Sequence, residues 1–282
     1  MASPELSSDT SLDTSLDTSH WIPRPRQVLR EALMLTRLPR GLAGILWRCV
    51  RPDVAVQVVE EIGDHRDLVA HLADATDRDQ PLEHGYGPAL HREFRTRVVG
   101  ARRSAAELVD ALGRDMNRAV VPGVARFDYV AASGAMAVGE ELVVRMAGPW
   151  DGPVRVLRRE PTSFRLGTLR GHLEAGQIEF AARDLGDDDL EFGITTWARA
   201  GDRVADVLYT RLGLAKELQY LLWVEFCVRA AALAGGRIPD GVTVRTRTVA
   251  WPELAPDPVP GGVLHGPGSG GNSSDGESSR AV

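Results

Sequence analysis

The sequence predicts an α+β fold: a curved antiparallel sheet wrapped around one long C-terminal helix, with a helical N-terminal extension ahead of it. Three observations carry that prediction. Between Ala125 and Arg199, ARFDYV, EELVVRM, PVRVLRR, SFRLGTL, QIEFAAR and LEFGITTWAR alternate apolar with polar residues and are separated by turns such as GPWDGP and DLGDDD, the pattern of an antiparallel meander. A single long run, from Ala205 to Gly236, has helical spacing. Hydrophobic residues make up 43% of the 282, enough for a packed core.

The elements follow in chain order. The first twenty-two residues repeat a short acidic Ser/Thr unit and read as a disordered tail. Residues 23–83 read as a helical, arginine-rich extension, within which VAVQVVEEIGDHRDLVAHLADA looks largely helical and GDHRD a solvated turn. The main domain spans residues 84–249. HREFRTRVVGAR alternates as a strand, and SAAELVDALGRDM opens a helix with Ser104 at the N-cap and Glu107 three residues on, the reciprocal capping arrangement. In the last helix Asp202 can cap the start and Gly235–Gly236 the end, with Leu214, Leu218, Leu221, Leu222 and Val228 along one face. From residue 250 to 282 the chain is Pro/Gly/Ser-rich and reads as a flexible tail.

Composition removes several functions. A net charge of −6 gives no overall field for nucleic acid. Cys49 and Cys227 sit in apolar segments with no CxxC, as buried reduced thiols do. No basic-then-apolar leader and no apolar run of about 18 residues is present, so a cytoplasmic protein is expected. His65, His71, His84 and His91 form no metal-binding pattern, and no phosphate loop, dinucleotide fingerprint or GxSxG occurs, so neither metal nor cofactor is expected. Residues 24–51 carry seven arginines against one acid, Glu31, interleaved with leucines. Such a segment either lies on the domain with its arginines in water or docks on an anionic membrane or a partner. Oligomeric state is not legible.

The stretch GTLRGHLEAGQIEF, Gly167 to Phe180, packs three glycines, a histidine and two carboxylates into fourteen residues. Two readings stand. Gly167, Gly171 and Gly176 shape a strand–loop–strand unit whose backbone His172 holds, or His172 acts as a general base oriented by Glu174. The stretch resembles the Gly-Thr-Leu-x-Gly-His-x-Glu-x-Gly-x-x-x-Phe signature of family 1990 of the domains of unknown function. Tyr86–Gly87–Pro88, GPWDGPVRV, LEFGITTWAR and LYTRLGLAKELQYL are also similar to it, so the resemblance covers roughly residues 84–247. It implies a START/Bet v 1-like helix-grip architecture of the SRPBCC superfamily and no established activity. Gln177 stands where the family pattern leads one to expect glutamate.

A curved sheet on a long helix leaves an apolar space between them, where a ligand would bind. The residues expected to meet a small apolar or amphipathic molecule there are Phe164, Leu166, Phe180, Phe192, Trp197, Leu218 and Leu222, with Trp150 and Trp223 as further walls. Glu225 and Arg229 are spaced as a surface ion pair, or as a pair presented to the ligand's head group. Three functions follow from this inventory. One is a binding domain without turnover. Another is a cofactor-independent enzyme of the cyclase or hydrolase kind, using His172, Glu174 or Glu225 in the same cavity. The last is an adaptor docking through residues 24–51.

Overall fold

Alternation in the central segments becomes a sheet of nine strands. The computed structural model describes residues 54–69, 75–130, 136–146, 151–201 and 214–251. Both expected tails, residues 24–51, Trp150 and Asp202 lie outside them, as does the side chain of Leu218. In chain order the strands are β1 (Val56–Ile62), β2 (Tyr86–Val98), β3 (Ala125–Tyr129), β4 (Glu141–Met146), β5 (Asp151–Glu160), β6 (Ser163–Thr168), β7 (Glu174–Gly186), β8 (Asp189–Ala200) and β9 (Val242–Val249). Among the described residues two α-helices accompany them, α1 (Ala105–Arg114) and α2 (Leu214–Ala234). The sheet order is β1-β9-β2-β8-β7-β6-β5-β4-β3. Strands β3 to β8 form the expected antiparallel meander, each hydrogen-bonded to the next.

The capping arrangement at Ser104 forms as its spacing predicts. The Ser104 hydroxyl accepts from the Glu107 amide, and the Glu107 carboxylate accepts from the Ser104 amide at 2.9 Å. Ala105, Leu108, Val109 and Leu112 then fall on one buried face of α1, which packs on β6, β7, β8 and α2. Gly235 closes α2 at φ +82°, a conformation that costs glycine little.

Other expectations are corrected. Val56–Ile62, read as helical, is the edge strand β1, and the sheet is therefore mixed: β1 pairs parallel with β9 from Val56↔Val242 to Ile62↔Thr248. Three valines and an isoleucine in VQVVEEI favour the extended chain, and β9 supplies the hydrogen-bonding edge that no local pattern reveals. Part of the 23–83 extension thus belongs to the sheet. VTVRTRTV, not assigned from sequence, is β9, between β1 and β2. GDHRD is a solvated three-ten turn over His65–Asp67, capped by Asp64. On α2 the buried stripe is Phe226, Cys227, Ala230, Ala231 and Ala234, whereas Leu221, Leu222 and Val228 are only half-buried. Small residues let α2 approach β2, β8 and β9 closely, and α2 is apolar on so many sides that leucine spacing does not identify its buried face.

The core is aromatic at its centre. Phe164 and Phe180 stack at 4.9 Å across β6 and β7, and Phe226 of α2 sits 5.2 Å from Phe180 and 6.2 Å from Phe192. All four phenylalanines are fully buried. Truncating any one to alanine costs on the order of 3–5 kcal/mol.

Candidate functional site

The stretch GTLRGHLEAGQIEF folds as the end of β6, a turn, and the start of β7. Its glycines have distinct reasons to be there. Gly171 turns the chain at φ +94° with nothing within 4 Å of where a Cβ would lie. At Gly176, φ is +152° and a Cβ would come within 1.9 Å of the Trp197 carbonyl oxygen on β8, so no side chain fits. Gly167 makes room for Leu157, whose Cδ1 would be 2.7 Å from an added Cβ.

The turn is clamped by the segment before β2. The Gln80 side-chain amide donates to the carbonyls of His172 (3.1 Å) and Glu174 (3.3 Å). The Gly176 amide donates to the Gln80 carbonyl at 3.0 Å and to Thr168 Oγ1 at 2.9 Å. Thr168 Oγ1 in turn donates to the Gln80 carbonyl at 2.8 Å. Next along the chain, Asp79 is 1% exposed and accepts from Arg155 of β5 at 2.7 Å, a buried pair tying the same segment to the sheet.

His172 projects from this turn to the inner face of the sheet. Its ring lies over Gly152 of β5, where an added Cβ would sit 2.8 Å from Nε2 and 2.9 Å from Cδ2. Gly152, the second glycine of GPWDGPVRV, is therefore the space into which the histidine of GTLRGHLEAG fits. His172 Nδ1 accepts the Glu174 amide at 2.9 Å. Burial pushes the His172 pKa below its ordinary value, against a smaller opposing pull from the Glu174 carboxylate. The ring is thus neutral with its proton on Nε2, and the arrangement makes His172 a hydrogen-bond donor. To act as a base it would first have to give up the Glu174 amide.

Beside this ring the sheet and α2 enclose a cavity of about 90 Å³. Its apolar walls include Val120, Phe127, Val154, Leu166, Phe180 and Leu222, with Trp223 of α2. Thr168, His172, Glu174, Gln177 and Thr196 make its polar part. Phe127 on β3 and Thr196 on β8 are five strands apart in the sheet, roughly 24 Å if flat at about 4.8 Å per strand. That both line one small cavity requires the sheet to curve.

Of the residues expected around a ligand, Leu166, Phe180 and Leu222 line this cavity, as do His172, Glu174 and Gly176, while Gly167 and Gly171 do not. Phe164 and Phe192 share the inner face but lie deeper in the aromatic core. Trp197 does not reach it: β8 alternates, and Trp197 lies on the outer face, stacked on His91 at 5.4 Å with Arg165 over its ring at 5.2 Å. Its indole N–H donates to the Asp67 carbonyl at 3.0 Å. Glu225 and Arg229 make the i,i+4 pair, Arg229 Nε donating to Glu225 Oε1 at 2.7 Å, and neither is part of the cavity lining. Gly152, Val154 and Thr196 were not singled out by sequence; the strand alternation that places Leu166 inward also places the last two. Arg92, opposite Thr196 and only 4% exposed, is likewise marked as inward-facing by the alternation of HREFRTRVV. Among the described residues no group of His, Cys, Asp and Glu could hold a metal ion.

Solved structures with distant likeness include a conserved protein of Geobacillus kaustophilus (14% identity, 51% of this chain and 95% of that one, TM-score 0.37). Protein CV1439 of Chromobacterium violaceum is at 15% identity, 51% and 98% coverage, and TM-score 0.36. Norcoclaurine synthase of Thalictrum flavum, solved with dopamine and hydroxybenzaldehyde, is at 11% identity, 55% and 97% coverage, and TM-score 0.34. Likenesses of this size assign neither activity nor ligand. No curated protein matches the chain in sequence. A family model does match: the domain of unknown function DUF1990, over residues 82–222, half of the chain, and containing both the turn and the glycine that His172 packs on. The chain belongs to that family.

Proposed function

We propose that the domain holds a small apolar or amphipathic molecule between the sheet and α2. The observation that carries this reading is a largely apolar cavity of about 90 Å³ with a few polar side chains, His172 among them, on its wall. Ligand pockets usually run to about 300–1,000 Å³ and bury most of the ligand's surface. A cavity this size therefore suits a very small molecule or the apolar end of a longer one. An empty apolar cavity forfeits packing contacts, so occupation by apolar atoms stabilises the fold.

The test is native mass spectrometry of the protein purified from its own host, followed by organic extraction, for the wild type and Val144→Phe. Val144 is half-buried on the cavity wall, so the larger ring fills the space with little disturbance of the core. A stoichiometric small molecule on the wild type that is lost from a folded Val144→Phe supports the reading. An empty wild type whose melting temperature no small apolar compound raises would refute it.

A further inference from the structure

Resting on that cavity reading, we propose that the molecule is neutral and presents an acceptor oxygen (a ketone, aldehyde or ester) to Trp223 Nε1–H, with His172 Nε2–H as a second donor on the cavity. Trp223 lines the cavity from α2, and its indole nitrogen is buried with no hydrogen-bond partner among the described residues. Buried indole N–H groups ordinarily find an acceptor, because leaving one unmet carries an uncompensated desolvation cost. The ring is wedged against Phe180 at 5.6 Å and Phe226 at 5.8 Å, which limits its freedom to turn toward another partner. His172, with Nδ1 engaged by the Glu174 amide, likewise offers only its remaining N–H.

One hydroxyl on the wall, Thr168 Oγ1, is committed to the Gln80 carbonyl and the Gly176 amide. The acceptors that the wall does hold, on Glu174, Gln177 and Thr196, leave the Trp223 N–H unmet, so its acceptor must come from the ligand. Glu174 on the same wall disfavours an anionic ligand, and an ammonium has no lone pair to offer the two N–H donors, so the molecule is neutral.

The experiment titrates the full chain with cyclopentanone, methylenecyclopentane, cyclopentylamine and cyclopentanecarboxylate. It follows the Trp223 indole ¹H–¹⁵N signal, assigned through Trp223→Phe. The ketone should bind about fivefold more tightly than its isosteric hydrocarbon, and should move the indole proton downfield. In Trp223→Phe that preference should fall toward unity. Equal binding of hydrocarbon and ketone with an unmoved indole signal overturns the acceptor-oxygen class while leaving the cavity reading intact, and so does tightest binding by the amine or the carboxylate. If none of the four binds, both readings fall. Should Trp223→Phe not fold, the wild-type indole shift decides alone.

Discussion

Replacing Gly152 by alanine should expose the dependence between the two motifs. Gly152 is in β5 at an ordinary strand conformation, so alanine is allowed there and by itself stabilises by about 0.5–1 kcal/mol through the entropy of the unfolded chain. Val144 Cβ at 3.4 Å from the new Cβ is ordinary contact. The obstacle is His172, at 2.8 and 2.9 Å, held in place by its bond to the Glu174 amide. Overpacking of this kind costs about 1–3 kcal/mol. Gly152→Ala should therefore destabilise the wild type by about 1–2 kcal/mol net, and stabilise His172→Ala by about 0.5 kcal/mol, a coupling well beyond the ~0.3–0.5 kcal/mol scatter of independent sites. Urea unfolding at pH 7.5, followed by both circular dichroism and tryptophan fluorescence, gives the four free energies. Additivity within that scatter, or a wild type stabilised by Gly152→Ala, would refute the placement of the ring over Gly152.

Three further outcomes are expected. Gly176→Ala should cost about 3–5 kcal/mol, because a Cβ 1.9 Å from a backbone oxygen adds displacement of β8 to the backbone strain, while Gly171→Ala should cost only about 1–2 kcal/mol from strain alone; equal costs in urea unfolding would contradict this. Burial lowers the pKa of both His172 and His91, for His91 against the raising influence of Glu93 and with Arg247 lowering it further. The unfolded chain then binds more protons below about pH 6.5, so stability should fall as pH drops through that value; His172→Gln and His91→Gln should each flatten the slope, and an unchanged slope in both would exclude these residues as its source. Cys227 is fully buried and its thiol is pushed far above its ordinary pKa, so in a Cys49→Ser background it should react with Ellman's reagent only at the rate of unfolding; rapid labelling of the native protein would show that α2 does not seal it.

Much of the chain's local structure follows from neighbours in sequence. Ser104 and Glu107 cap α1 because the hydroxyl and the carboxylate reach amides three residues away. The meander forms because alternating residues separated by glycine, proline and aspartate turns can pair with the next strand, and Gly235 ends α2 for an equally local reason. Where pairing is distant, sequence fails. Val56–Ile62 is a strand only because Val242–Val249, some 186 residues later, offers it a parallel edge. Trp197 looks as suitable for a cavity wall as Phe180, yet its register opposite Gln177 and His91 turns it outward.

The sequence by itself therefore determined the α+β class, the capped helix, the antiparallel meander and the glycine-rich strand–loop–strand unit that marks the family. Only the tertiary structure decided that β1 and β9 make the sheet mixed and that α2 buries its alanines. It alone left Glu225 and Arg229 out of the cavity lining and laid His172 over a glycine twenty positions upstream. The physical reason is range: caps and turns are satisfied within a few residues, whereas strand partners, buried faces and the room for a side chain depend on which distant backbone comes to lie beside them.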